Sequence, residues 1–191
     1  CGNNVAEFKG NIPADESVTT VATYPRFVEN GSENTVFVGN TLNYVLPQTW
    51  TYAKGVSNVP MVATFGEGAE HMSFKQVGGV MRFPVKNLPA ETQFVVTMND
   101  KTITGPFPVD ITSLGETCMT AGTAASELVI NYISDADGAD AEFNVPVPVG
   151  VYNNFTVTIK DAADEVLFTK EYSADNKIER ATLLNMKELI L

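Results

Sequence analysis

The stretch Asn154-Phe155-Thr156-Val157-Thr158-Ile159 decides the fold, because its apolar and polar residues alternate without a break. Strict alternation places successive side chains on opposite faces of a strand, and β-branched and aromatic residues favour that conformation. We therefore predict a strand with one buried and one polar face. An acidic turn at 161–164 follows, and residues 165–172 return as a second strand, so this strand is expected to form a hairpin.

The same period of two recurs along the rest of the chain. The clearest segments lie at 18–24, 35–38, 41–46, 80–85, 93–98, 127–133 and 141–147. About a dozen strands separated by turn residues, with no convincing helix, are typical of an all-β sandwich or barrel. Pro106 and Pro108 predict an edge strand, or a strand with one free side, at 104–111, because proline cannot donate a ladder hydrogen bond. Residues 181–191 fit the strand and the helix period equally, so both remain open there.

The length of 191 residues allows one large domain or two small ones. The stretch Gly66-Glu67-Gly68-Ala69-Glu70 is glycine-rich and acidic, and it separates two regions rich in predicted strands. A boundary there predicts an N-terminal β-sandwich domain at 1–67 and a C-terminal β-sandwich domain at 68–191.

Composition excludes several classes of protein. Hydrophobic residues make up 44% of the chain and charged residues 18%, which suits a packed core and not a disordered chain. The net charge of −11 would repel nucleic acid and anionic membrane surfaces. No stretch approaches the roughly 20 apolar residues of a spanning helix. Membrane attachment is therefore expected only through a lipid anchor.

Two cysteines allow different interpretations. Cys1 could be the lipid-modified first residue of a mature bacterial lipoprotein, or the chain could be trimmed from a longer parent. A disulfide between Cys1 and Cys118 is possible, but sequence alone does not establish the pairing. A buried free thiol is the simpler interpretation of Cys118.

A few polar residues could form a site, although each also has an ordinary explanation. His71, the only histidine, could act as a base or a ligand, but a surface histidine at a strand start is the simpler hypothesis. Asp135, Asp137 and Asp140 could share a calcium ion. Asp and Gly are also the residues that hairpin turns use, and the spacing lacks the order of an EF-hand.

Aromatic residues suggest a possible ligand surface. Trp50 and Tyr52 could stack on sugar rings, although aromatic residues more often fill a core. Metal-spaced Cys/His clusters, a phosphate loop, a nucleophile elbow and a dinucleotide fingerprint are all missing from the sequence. We therefore expect no enzyme activity, no metal and no cofactor. A carboxylate hydrolase remains a weak third hypothesis, because carboxylates pair in space and nothing in the sequence nominates a pair.

Several short motifs follow one another in a recognisable order. They are Phe8-Lys9-Gly10-Asn11-Ile12-Pro13, Ala22-Thr23-Tyr24-Pro25, Leu46-Pro47-Gln48, Pro60-Met61-Val62-Ala63, Ser73-Phe74-Lys75, Gly78-Gly79-Val80, Thr102-Ile103-Thr104-Gly105, Gly150-Val151-Tyr152, Ile178-Glu179-Arg180 and Asn185-Met186. In this order they resemble the fimbrillin-like surface lipoproteins of Bacteroidales bacteria, over nearly the whole chain. No single motif is specific by itself.

The resemblance implies two transthyretin-like β-sandwich domains, export to the cell surface or outer membrane, and a lipid anchor in the precursor. It implies a non-enzymatic role in fimbriae or adhesion, in which subunits assemble by strand complementation after an arginine-directed cleavage. The partners would be other fimbrial subunits or surface ligands of the host or of bacteria. A glycan-binding surface lipoprotein using Trp50 and Tyr52 is the alternative. The chain departs from the pattern by starting at what resembles an interior strand of the first domain.

Overall fold

A computed structural model describes residues 20–24, 28–29, 32–33, 36–38, 41–55, 59–65, 73–113 and 119–191. Within these residues the chain forms nineteen strands and a single 3₁₀ turn, Ile111–Ser113. The all-β prediction is confirmed. No helix in the described ranges is long and apolar enough to cross a membrane.

The strands are numbered in chain order. They are β1 (Thr20–Tyr24), β2 (Val28–Glu29), β3 (Ser32–Glu33), β4 (Val36–Val38), β5 (Thr41–Leu46), β6 (Thr49–Thr51), β7 (Met61–Phe65), β8 (Lys75–Gln76), β9 (Gly79–Leu88), β10 (Glu91–Met98), β11 (Gly105–Asp110), β12 (Ser126–Ile133), β13 (Ala139–Val147), β14 (Gly150–Tyr152), β15 (Phe155–Asp161), β16 (Val166–Tyr172), β17 (Asn176–Ile178), β18 (Leu183–Asn185) and β19 (Leu189–Ile190).

The stretch that opened the sequence analysis forms β15, inside a five-stranded sheet of order β16-β15-β10-β12-β6. Its apolar residues Phe155, Val157 and Ile159 are buried, as the alternation predicts. The hairpin with β16 is confirmed, and its antiparallel register pairs Thr158 with Thr169. All neighbours in this sheet are antiparallel except β6, which runs parallel to β12.

A second sheet has β9 at its centre, with β13 on one side and the C-terminal segment on the other. The open question about residues 181–191 is settled as strand: β18 and then β19 pair with β9, both in parallel. Pro84 of β9 stands opposite the interval between these two short strands. The Val80 amide donates to the Thr182 carbonyl, and the Met186 amide donates to the Arg82 carbonyl. The even-numbered residues of β9 therefore direct their backbone groups toward the C-terminal segment, and Pro84, which is one of them, has no N–H to donate.

Aromatic residues join the two sheets face to face. Phe94 of β10 stacks on Phe143 of β13 with ring centroids 4.3 Å apart, and Phe83 of β9 meets Phe155 of β15 edge-on at 6.5 Å. These rings are fully buried or nearly so. Phe143 and Phe155 alternate along their strands with polar residues, and burying the four rings between the two sheets closes a sandwich around one core.

The remaining long strands form two three-stranded sheets, of order β11-β5-β4 and β1-β7-β8. The Tyr44 hydroxyl of β5 donates to the Tyr24 carbonyl of β1 at 3.0 Å and so links the two. The hairpin of β4 and β5 and the edge position of β11 are as predicted. Strand pairs β14 with β17 and β2 with β3 complete the described pairings.

Strand pairing crosses the predicted boundary at residue 67. From the first segment, β6 joins the five-stranded sheet, whereas β11 of the second segment pairs with β5. Buried residues from both segments, among them Trp50 and Phe143, belong to one hydrophobic cluster. Each segment thus supplies a strand to a sheet of the other, and the division into domains at 1–67 and 68–191 stays a prediction. The boundary stretch 66–70 itself lies outside the described residues.

Candidate functional site: the strand edges

Trp50, one of the two residues predicted to stack on glycans, lies within β6. Its side chain is only 6% exposed, and its indole Nε1 donates to the Pro47 carbonyl at 2.6 Å. A stacking platform needs an uncovered ring face. Burial therefore favours a structural role for Trp50, and glycan stacking by this residue remains a prediction without support from its position.

Tyr52 follows β6 and is partly buried. Its ring packs edge-on against Tyr132 at 5.0 Å and against Phe143 at 5.3 Å. Burial raises the pKa of the Tyr52 phenol, and the neighbouring backbone amide of Glu142 partly offsets that rise. Tyr52 thus packs against buried rings at the edge of β13, and Trp50 and Tyr52 do not form a common open face.

The three aspartates of the possible calcium loop lie between β12 and the start of β13. Asp137 Oδ1 accepts from the Ala90 backbone at 2.8 Å, and Asp140 Oδ2 accepts from Lys86 Nζ at 2.6 Å. The hydrogen bond from Lys86 holds the pKa of the Asp140 carboxyl below its usual range. In the described part of the chain, no group of three His, Cys, Asp or Glu side chains is arranged to hold a metal ion. The geometry fits the turn interpretation of these aspartates.

Other predicted residues lie outside the described ranges. These are Cys1, Cys118 and His71. The lipid anchor at Cys1, the pairing of the two cysteines and the role of His71 therefore stay predictions.

Strand edges are the feature of this fold that can bind another chain, because an edge presents unpaired backbone N–H and C=O groups. Four of the described strands that contain at least five residues lie at a sheet edge. They are β1, β11, β13 and β16. They differ in which of their outward backbone groups remain available.

The β11 edge lacks donors. Pro106 and Pro108 stand opposite Val45 and Asn43 of β5. A proline cannot donate to β5, so these two positions are the outward-facing ones, and two amide donors are missing from this edge. An added strand would find few partners on β11.

The β13 edge is partly covered. The backbone groups of Met81, Phe83 and Val85 face β13, because the residues between them form hydrogen bonds with the C-terminal segment. The outward positions of β13 therefore include Glu142 and Pro146. Tyr52 lies beside the Glu142 amide and Pro146 has no donor, so this edge is blocked at two places.

The β1 edge carries outward groups in its centre. The Val77 amide donates to the Pro60 carbonyl at 3.0 Å. Because backbone groups alternate in direction along a strand, those of Val62 face β8, and those of the residues on either side of Val62 face β1. In the register of β1 with β7, Ala22 and Tyr24 are then bonded to β7. Val21 and Thr23 point their backbone groups outward, and no described strand pairs with that side.

The β16 edge is open in the same sense. The Asp161 amide donates to the Glu165 carbonyl at 3.0 Å. Every second residue of β15, from Asp161 back to Phe155, therefore directs its backbone N–H and C=O groups toward β16. Phe168, Lys170 and Tyr172 are their partners. Thr169 and Glu171 are left with outward-facing backbone groups.

Sequence reasoning did not single out Thr23 or Thr169. A proline-free segment rich in β-branched and aromatic residues is visible in the sequence at both positions. Which residues of a strand point outward depends on its register with a distant neighbour, and that register has no local signal.

The sequence matches no protein-family model and no curated protein. Among solved structures, the fold is similar to that of a candidate cell adhesion protein from Bacteroides ovatus, with a TM-score of 0.51 and 14% identity over 87% of this chain. The chain spans 61% of the length of that protein. A candidate cell adhesion protein from Bacteroides uniformis aligns at a TM-score of 0.42 and 16% identity. That alignment covers 84% of this chain and 69% of the Bacteroides uniformis chain. At 14% identity, the likeness to the Bacteroides ovatus protein shows a shared fold alone.

Proposed function

We propose that this chain is a non-enzymatic structural or adhesive protein of the bacterial cell surface, assembled with other subunits by strand complementation. The single observation that carries the proposal is the β1 edge, whose outward backbone groups at Val21 and Thr23 meet no described strand. In this mode of binding, backbone hydrogen bonds supply affinity and alternate side chains supply specificity.

Two further findings support the proposal. The order of the sequence motifs resembles the order in fimbrillin-like surface lipoproteins. The fold is similar to that of a Bacteroides protein described as a candidate cell adhesion protein. A fold by itself does not determine function, so the assembly mechanism needs a direct test.

The test removes one outward donor from β1. Thr23→Pro eliminates an N–H that faces away from β7 and leaves the β1–β7 hydrogen bonds in place. We expect the full natural protein carrying this change to lose high-mass polymers on gel filtration and electron microscopy of cell-surface material. Thr23→Val, which keeps the donor and the β-branched shape, is expected to polymerise like the wild type.

Far-ultraviolet circular dichroism and thermal unfolding check that both variants fold. Equal polymerisation of a folded Thr23→Pro variant would refute β1 as the acceptor. A wild-type protein that stays monomeric and takes up no peptide strand would refute strand complementation as a whole.

The location can be tested separately. Protease treatment of intact cells is expected to degrade the protein while a periplasmic marker survives. Protection of the protein until the cells are lysed would place it inside the envelope and contradict the surface role.

A further inference from the structure

We draw no further inference here: the strongest candidate, the outward edge of β16 with the exposed side chains of Val166 and Leu167 beside it, carries none, because nothing in the described part of the chain shows what covers this edge.

Discussion

Gly79 begins β9 at a place where no side chain fits. A Cβ there would come within 2.5 Å of Ile178 Cγ2 and 2.8 Å of the Glu179 carbonyl oxygen. The turn after β17 therefore packs directly on the backbone of β9. This close approach gives a physical reason for the Gly78-Gly79 step that the sequence analysis noted.

We expect Gly79→Ala to lower the free energy of unfolding by about 1–3 kcal/mol, because the backbone of Glu179 has to move. Gly150→Ala is the matched control, since its Cβ would meet Ala121 at an ordinary 3.5 Å. Urea denaturation of both variants measures the difference. Equal stability of the two variants would contradict the close packing.

Tyr172 carries a buried hydroxyl that finds no hydrogen-bond partner among the described residues. The ring stacks on Phe155 with centroids 4.5 Å apart. Removing the hydroxyl by Tyr172→Phe keeps this stack and eliminates an unsatisfied polar group. We expect the free energy of unfolding to rise by about 1 kcal/mol, measured by urea denaturation at neutral pH. A clear loss of stability would indicate a hydrogen bond to a residue outside the described ranges.

Buried tyrosines also make stability depend on alkaline pH. Burial raises the pKa of Tyr172 to about 12 and raises the pKa values of Tyr44 and Tyr152 as well. An unfolded tyrosine ionises near pH 10, so the folded state binds more protons above that pH. The free energy of unfolding is therefore expected to fall as pH rises from about 10 to 12.

Absorbance at 295 nm and urea denaturation across this range measure the effect together. Tyr172→Phe should make the decline shallower, because one of the shifted groups is gone. A free energy of unfolding that stays constant between pH 9 and 12 would contradict the burial of these phenols.

At the scale of the element, proline position separates blocked edges from open ones. Pro106 and Pro108 occupy outward positions of β11, and Pro146 occupies an outward position of β13. Because β1 has no such residue, the proposed strand addition falls on this strand. The Thr23→Pro variant places at the β1 edge the same residue type that blocks the edges of β11 and β13.

Local sequence was sufficient to predict several elements. The alternation in 93–98 and 154–159 predicted β10 and β15, and the turn after β15 predicted the hairpin with β16. The parallel pairings of β6 with β12 and of β18 with β9 were not predicted. Periodicity identifies which face of a strand is buried, but a partner more than fifty residues away leaves no local trace.

Across the whole molecule, the exchange of β6 and β11 ties the two halves together. Trp50 of β6 belongs to the same hydrophobic cluster as Phe143, and Leu42 of β5 to the same cluster as Phe107 of β11. Such shared sheets predict one cooperative unit for the described strands, in place of two domains that unfold separately.

A fragment of residues 68–191 tests this expectation. Without β6 it lacks Trp50, and without β5 its β11 has no neighbour. We expect the fragment to be less stable than the intact chain by about 3 kcal/mol or more, and the intact chain to melt in one transition by circular dichroism. Two transitions in the intact chain, one of them coinciding with the fragment's, would contradict this expectation and support the division predicted at residue 67.

The sequence by itself determined the all-β class, the position of most long strands and the buried face of each. These properties follow from alternation over a few neighbouring residues, which the chain carries locally. Only the tertiary structure decided that Trp50 and Tyr52 pack inward and that β6 and β11 each pair with a strand of the other half. It also decided that the backbone groups of Thr23 and Thr169 face away from their neighbouring strands. Each of these depends on which distant strand lies alongside and in what register, and that choice minimises exposed apolar surface over the whole molecule.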